Sequence, residues 1–307
     1  MNFLIVGPGA MGCLFASHLK RAGIDVTLLD YRQERADLIN DQGIRVEGVT
    51  GKHMVQVPVV VGKSSDIPDV ILICVKANQT RKAADPLRSW VGDGAHILTV
   101  QNGLGNLEIL EDIFGKKRVL GGVTAEGATL LGPGHLRHAG QGDTIIGPKG
   151  DPDGPVSGIV SAFNRAGFTA RSVDNVDDLI WGKLIINVGI NALTAITRLK
   201  NGRLPEVDGT RSVMEEAVNE AVAVVRAKGI NLPYPDPLGR VLEVCKATAE
   251  NIASMLQDVL RHGMTEVDYI NGAIVREGKK LGIPTPVNHT LTSLVRAIQE
   301  TYDQQQA

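Results

Sequence analysis

Near its start the chain reads Asn2-Phe-Leu-Ile-Val6, then Gly7-Pro8-Gly9-Ala10-Met11-Gly12, then a helically spaced stretch to residue 22 that stops at Gly23. A short apolar run broken by glycine reads as a buried parallel strand. The stretch after it reads as a helix with glycine at its natural stop. A second apolar run, Val26-Thr-Leu-Leu29, ends at Asp30. Strand, glycine turn, helix and strand within about 30 residues make a βαβ unit. In that setting Gly7 permits a tight turn, Gly9 leaves room for a pyrophosphate against the backbone, and Gly12 lets helix and strand pack closely. The start of the helix offers backbone N–H groups and a partial positive charge to phosphates. Gly7, Pro8, Gly9, Ala10, Met11 and Gly12 are therefore candidate cofactor-binding residues.

Asp30 stands at the end of the second strand, 18 residues beyond Gly12. A carboxylate there accepts hydrogen bonds from the adenosine ribose and favours NAD. It would repel a 2′-phosphate, which Arg32, with Arg35 in support, would instead hold. The two readings point opposite ways, and both residues are cofactor candidates. Further along, Val70–Val75 and Ile97–Val100 read as strands, 80–91 and 156–166 as helices, and 168–173 as a strand. Residues 44–61 alternate as an antiparallel or irregular pair, and 117–148 read as a short antiparallel β extension. Lys76 and Asn102 each follow a strand end, where open α/β sheets bind ligands. From Asp177 onward the pattern is helical, with helices expected at 177–198, 210–228, 238–261, 265–281 and near 288–303. The fold class is α/β: a Rossmann-type dinucleotide-binding domain at 1–173, then an all-α domain at 174–307.

The segment Trp181-Gly-Lys183-Leu-Ile-Ile-Asn187-Val-Gly-Ile-Asn191 places Lys183, Asn187 and Asn191 at i, i+4 and i+8. On a helix they form one row. The rest of that helix is apolar on nearly every side, as in a buried helix. A polar row there is costly unless a partner or ligand satisfies it. A desolvated lysine loses its proton more easily, which suits a general acid near neutral pH. Thr265 and Asp268 look like a capping pair, which would put Glu266 in the first turn of the next helix.

Lys plus Arg number 32 against 34 Asp plus Glu, a net charge of −2, which argues against a nucleic-acid partner. Cys13, Cys74 and Cys245 form no disulfide framework or zinc spacing and fit a reducing, cytoplasmic setting. No apolar run reaches a membrane span. The histidines show no ligand spacing, so no metal is expected, and His135 and His138 are expected at the surface of the β extension. A helical second domain often carries a dimer interface, so a homodimer is an open expectation.

Taken together, the chain resembles the ketopantoate reductase family over nearly its whole length. The likeness rests on Gly7-x-Gly9-x-x-Gly12, Val75-Lys76-Ala, Gln101-Asn102-Gly103, Lys183-x-x-x-Asn187-x-x-x-Asn191, Asn201-Gly202, Ser254-Met-Leu-Gln-Asp258 and Glu266-x-Asp-Tyr-Ile-Asn271-Gly. The lysine–asparagine row and the 254–272 block are the specific parts. The resemblance implies a two-domain reductase with its active site in the interdomain cleft, reducing the keto acid 2-dehydropantoate to (R)-pantoate on the way to pantothenate and coenzyme A. It implies Lys183 as proton donor, with Asn187, Asn191 and Ser254 holding the substrate. It also implies Lys76, Asn102 and Glu266 organising cofactor and catalytic geometry, Glu266 among the catalytic residues. Asn201 matches a substrate- or loop-contact position. The family default is NADPH, often with a basic residue at the end of the second strand. Here Asp30 stands there, so NADH or dual use stays open. The alternatives are a related reductase of another 2-keto or 3-hydroxy acid, and a nucleotide-sensing protein without turnover.

Overall fold

The computed structural model describes residues 1–63, 67–90, 94–149 and 156–304. Its first stretch runs β1 (Asn2–Val6), α1 (Ala10–Arg21), β2 (Asp25–Asp30), α2 (Gln33–Gln42), β3 (Ile44–Gly48), β4 (His53–Val55), β5 (Val59–Val61), β6 (Val70–Ile73), α3 (Thr80–Ala84) and β7 (His96–Thr99). It continues through α4 (Asn106–Phe114), β8 (Val119–Thr124), β9 (Gly127–Gly132), β10 (His135–Gly140), β11 (Thr144–Pro148), α5 (Val156–Arg165) and β12 (Ala170–Ser172). The helical stretch holds α6 (Asp177–Thr197), α7 (Asp208–Ala227), α8 (Pro237–Ala247), α9 (Ser254–Leu260), α10 (Asn271–Leu281) and α11 (Pro286–Glu300).

An eight-stranded sheet has the order β12-β11-β8-β7-β6-β1-β2-β5. Six of its strands, β5-β2-β1-β6-β7-β8, are mutually parallel and, numbered along the chain, run 3-2-1-4-5-6, the dinucleotide-binding order. Strand β1 is buried except at its first residue and β6 throughout, as strands covered on both faces must be. Phe15, Phe163 and Phe168 pack ring to ring in the core beneath α1 and α5.

The β extension expected at 117–148 is divided. Strands β8 and β11 pair antiparallel within the large sheet, whereas β9 and β10 join a second, four-stranded sheet, β4-β3-β10-β9. The 44–61 stretch splits in the same way. Strands β3 and β4 form the antiparallel pair, while β5 lies parallel to β2 in the large sheet. Alternation reports which face of a strand is buried, not which strand pairs with it. His138 is fully buried, against expectation, because its Nε2 meets the buried Glu126 carboxylate at 2.6 Å. The helix expected at 80–91 is α3 followed by a 3-10 turn to Ser89; Val91 lies outside the described residues. Helix α2 buries only Ala36 and Ile39, too narrow a stripe to be read as periodicity.

The helical half has its own core, built around α6, against which α7, α8, α9 and α11 pack. Gly189 allows this closeness, since a Cβ there would lie 2.8 Å from Val241. The single helix expected at 238–261 is two. Helix α8, capped by Asp236 and started by Pro237, ends at Ala247, and α9 begins at Ser254. The helix expected at 265–281 starts at Asn271. Val267–Tyr269 form a separate 3-10 turn, and Glu266 is its N-cap, not a first-turn residue.

The chain divides into two compact units: Met1–Gln101 with Asn106–Val176, and Asn102–Gly105 with Asp177–Ala307. The sequence reading put the boundary after residue 173. Residues 173–176 lie with the first unit because Val173 N–H bonds to Ile146 O and Val176 N–H to Pro148 O, with Val176 buried.

Candidate functional site

In the first unit the glycine turn joins β1 to α1. Gly7 takes φ +100°, and a Cβ there would strike Val75. A Cβ on Gly12 would fall against the Gly7 carbonyl oxygen. Gly9 is different: its Cβ would meet nothing within 4 Å. No side chain caps α1 at Gly9. The open cradle at Gly9 and the uncapped helix start fit the pyrophosphate of a dinucleotide. Pro8, Ala10 and Met11 complete this turn.

Asp30 ends β2 with a side chain wholly shielded from solvent. Its Oδ1 accepts from the backbone N–H of Tyr31 at 2.7 Å and of Arg32 at 3.1 Å. Arg35 grips both carboxylate oxygens, with Nε at 2.5 Å from Oδ2 and a terminal nitrogen at 2.6 Å from Oδ1. The sequence puts Arg35 in support of Arg32 on a phosphate; the structure instead pairs Arg35 with Asp30. Arg32 is exposed and lies over the exposed Tyr31 ring, 5.2 Å from its centroid.

Lys76 follows β6 as the N-cap of a 3-10 turn, Ala77–Gln79. Gln101 holds that loop: its Nε2 donates to Val75 O at 2.6 Å and to Thr80 Oγ1 at 2.9 Å. Gln101 thus holds the Lys76 loop, a role that its place in the Gln101-Asn102-Gly103 motif does not reveal. Its place after β7, facing the loop after β6, was the available signal.

In the second unit, Asn102–Gly105 packs on the turn that follows Glu266. Leu104 N–H donates to Tyr269 O at 2.8 Å, and Gly103, at φ +84°, sits so close to that carbonyl that no Cβ fits. Helix α6 carries Lys183, Asn187 and Asn191 along one side. Burial pushes the Lys183 ammonium down to about 8, while the Glu266 carboxylate works against the fall. Glu266 is itself buried. The Asn187 Nδ2 is buried without a hydrogen-bond partner among the described residues, and Asn191 is buried one turn on. Tyr234 fixes this end of α6 by donating its hydroxyl to Gly182 O at 2.6 Å.

Asn201 opens the 3-10 turn before α7 and donates Nδ2 to Thr248 Oγ1 at 2.9 Å, leaving a buried Oδ1 without a partner among the described residues. Ser254 is exposed at the first turn of α9, which packs on α6. The second unit thus draws together Lys183 and Glu266, and it places α9 beside α6, the helix that carries Lys183. The first unit gathers the glycine turn, Asp30, Arg32 and Lys76 at the C-terminal ends of β1, β2 and β6.

The family model described as "Ketopantoate reductase PanE/ApbA" matches residues 3–151, and "Ketopantoate reductase PanE/ApbA C terminal" matches residues 175–299. A 2-dehydropantoate 2-reductase of Halobacterium salinarum is 36% identical over 302 residues, which are 97% of this chain and 99% of that protein. The chain belongs to the ketopantoate reductase family. A solved PanE/ApbA family ketopantoate reductase from Ralstonia eutropha JMP134 matches with TM-score 0.88 and 34% identity, covering 99% of this chain and 100% of that one. D-mandelate dehydrogenase, solved with NADH and anilino(oxo)acetate, matches with TM-score 0.91 and 28% identity, covering 99% and 100%. Ketopantoate reductases are NAD(P)H-dependent oxidoreductases, and the glycine cradle of this chain fits that class of cofactor.

Proposed function

We propose that this ketopantoate reductase family member reduces 2-dehydropantoate to (R)-pantoate, with Lys183 as the proton donor. The observation that carries the reading is a lysine of lowered pKa, beside a buried carboxylate, in line with a buried amide nitrogen that has no partner among the described residues. A reduced nicotinamide dinucleotide held at the Gly7–Gly12 turn would supply the hydride for the ketone carbon. The ketone oxygen then gathers negative charge, which the Lys183 ammonium stabilises and neutralises by transferring a proton from Nζ. A pKa of about 8 leaves Lys183 charged at neutral pH and still acidic enough to part with that proton. Glu266 is its catalytic partner, keeping it charged between turnovers. Asn187, Asn191 and Ser254 present amide and hydroxyl groups to the substrate carboxylate and hydroxyl, and the Asn201 Oδ1, unpartnered among the described residues, is suited to a substrate hydroxyl. Lys76, held by Gln101, and Asn102 organise the cofactor side.

The preferred cofactor is NADPH. The Asp30 carboxylate is already taken up by Arg35 and two backbone N–H groups, whereas Arg32 stands exposed. Three cysteines without disulfides suit the cytoplasm.

Initial rates with 2-dehydropantoate, using NADPH and NADH in parallel, test the reading. Lys183→Met should lose at least about 100-fold in turnover while still binding dinucleotide. Near-normal turnover would overturn the assignment. The likeness to D-mandelate dehydrogenase favours a second reading, an NADH-dependent reductase of another 2-keto acid. Faster NADH oxidation with phenylglyoxylate than with 2-dehydropantoate would select it.

A further inference from the structure

The end of β2 and the first turn of α2 carry three charged residues, Asp30, Arg32 and Arg35, whose charges do not act independently. Asp30 has no side-chain exposure, and Arg35 keeps 23%. The two form a fork-to-fork pair across the first turn of α2. Burial by itself would raise the Asp30 carboxyl, but the Arg35 hydrogen bonds and the N–H groups of Arg32 and Tyr31 outweigh it and hold the group ionised. That carboxylate is therefore neutralised and its lone pairs are directed at protein donors. Arg32 binds Tyr31 Oη through Nε at 2.9 Å, and among the described residues its terminal nitrogens donate to nothing. Among the described residues Arg32 is consequently a cation without a carboxylate partner, beside an exposed aromatic ring.

We infer that Arg35 determines which cofactor this strand end accepts. By pinning Asp30 it removes the acceptor and the negative charge that would favour an unphosphorylated ribose, and it leaves Arg32 to receive a 2′-phosphate. The inference rests on the reading that the glycine turn binds a nicotinamide dinucleotide. Arg35 is a positioning residue here; Arg32 is the one that meets the phosphate.

The test uses calorimetric binding of 2′,5′-ADP and of 5′-ADP, which needs no turnover. Wild-type protein should bind 2′,5′-ADP more tightly. Arg35→Gln exposes the Asp30 charge and should lower the ratio of the two affinities by about tenfold or more. Asp30→Asn combined with Arg35→Gln removes the charge that needed masking and should restore the ratio to within about threefold of wild type. Arg32→Gln should weaken 2′,5′-ADP alone. If the double variant stays as weak as Arg35→Gln, Arg35 touches the phosphate itself and the inference is wrong; an unchanged ratio in Arg35→Gln also overturns it. Should Arg35→Gln fail to fold, Asp30→Asn decides: loss of 5′-ADP affinity would mean that Asp30 already serves the ribose. Wild-type protein that binds neither probe would instead sink the dinucleotide reading.

Discussion

Burial draws the proton from Lys183 more easily than from an exposed lysine, down to about 8, and Glu266 limits that fall. In the proposed mechanism the ammonium form is the acid, so turnover should decline as pH rises through about 8. Glu266→Gln removes the opposing influence and should move this alkaline limb to lower pH, whereas Lys183→Arg should move it upward. A kcat–pH profile with the same limb in all three proteins would assign the proton to another group. Asn187 offers a different signature. Its Nδ2 is a donor without a partner among the described residues. Asn187→Leu should therefore leave Tm unchanged or raised while KM rises by about tenfold or more. A lowered Tm with unchanged KM would make the amide structural. The row itself was legible because a spacing of four on an otherwise apolar helix admits few explanations. Arg35 as the partner of Asp30 was not, because a separation of five spanning a strand end and the next helix follows neither period.

The turn between β1 and α1 separates two duties that one glycine motif hides. Gly12→Ala forces a Cβ onto the Gly7 carbonyl and should destabilise the protein by about 1–3 kcal/mol. Gly9→Ala fills open space and should keep the melting temperature while weakening dinucleotide binding. Equal effects of the two substitutions on stability would contradict this division. A second element-level feature is the seam between α1 and the small sheet. The His18 ring on α1 lies 5.5 Å from that of His53 on β4 and 5.6 Å from that of His138 on β10. Arg21 approaches His53 Nδ1 at 3.2 Å, and Glu126 faces His138. Burial, then Arg21 and the other two imidazoles, lowers the His53 pKa from 6.5 to about 4. A histidine harder to protonate when folded stabilises the protein above its unfolded pKa, and that contribution is lost as pH falls from 6.5 towards 4. His53→Gln should flatten the loss of stability between pH 7 and 5, measured by denaturant unfolding; an unchanged slope would clear the cluster of any role. The sequence showed strands here but not this seam, since β3 and β10 pair across more than eighty residues of chain.

At the scale of the whole molecule, the change from mixed α/β to helical character was plain in the sequence, because strand-like alternation simply stops. Each unit closes around its own apolar core, one beneath α1 and α5 and one around α6. Helix α6 is apolar enough by length and composition to suggest a membrane span, yet most of it is buried among its neighbours, as expected of a core helix. What the sequence concealed is that Asn102–Gly105 belongs with the helical unit, tied there by Leu104 and by the fit of Gly103 on Tyr269. Order along the gene and membership in a folded body thus disagree over this short stretch. A recombinant protein spliced at residue 176 from two diverged relatives would pair the 102–105 tetrapeptide of one parent with the Tyr269 corner of the other. Crossovers that move the tetrapeptide together with the helical half keep the fitted pair intact, so family shuffling on this scaffold has natural seams on either side of the tetrapeptide as well as after residue 176.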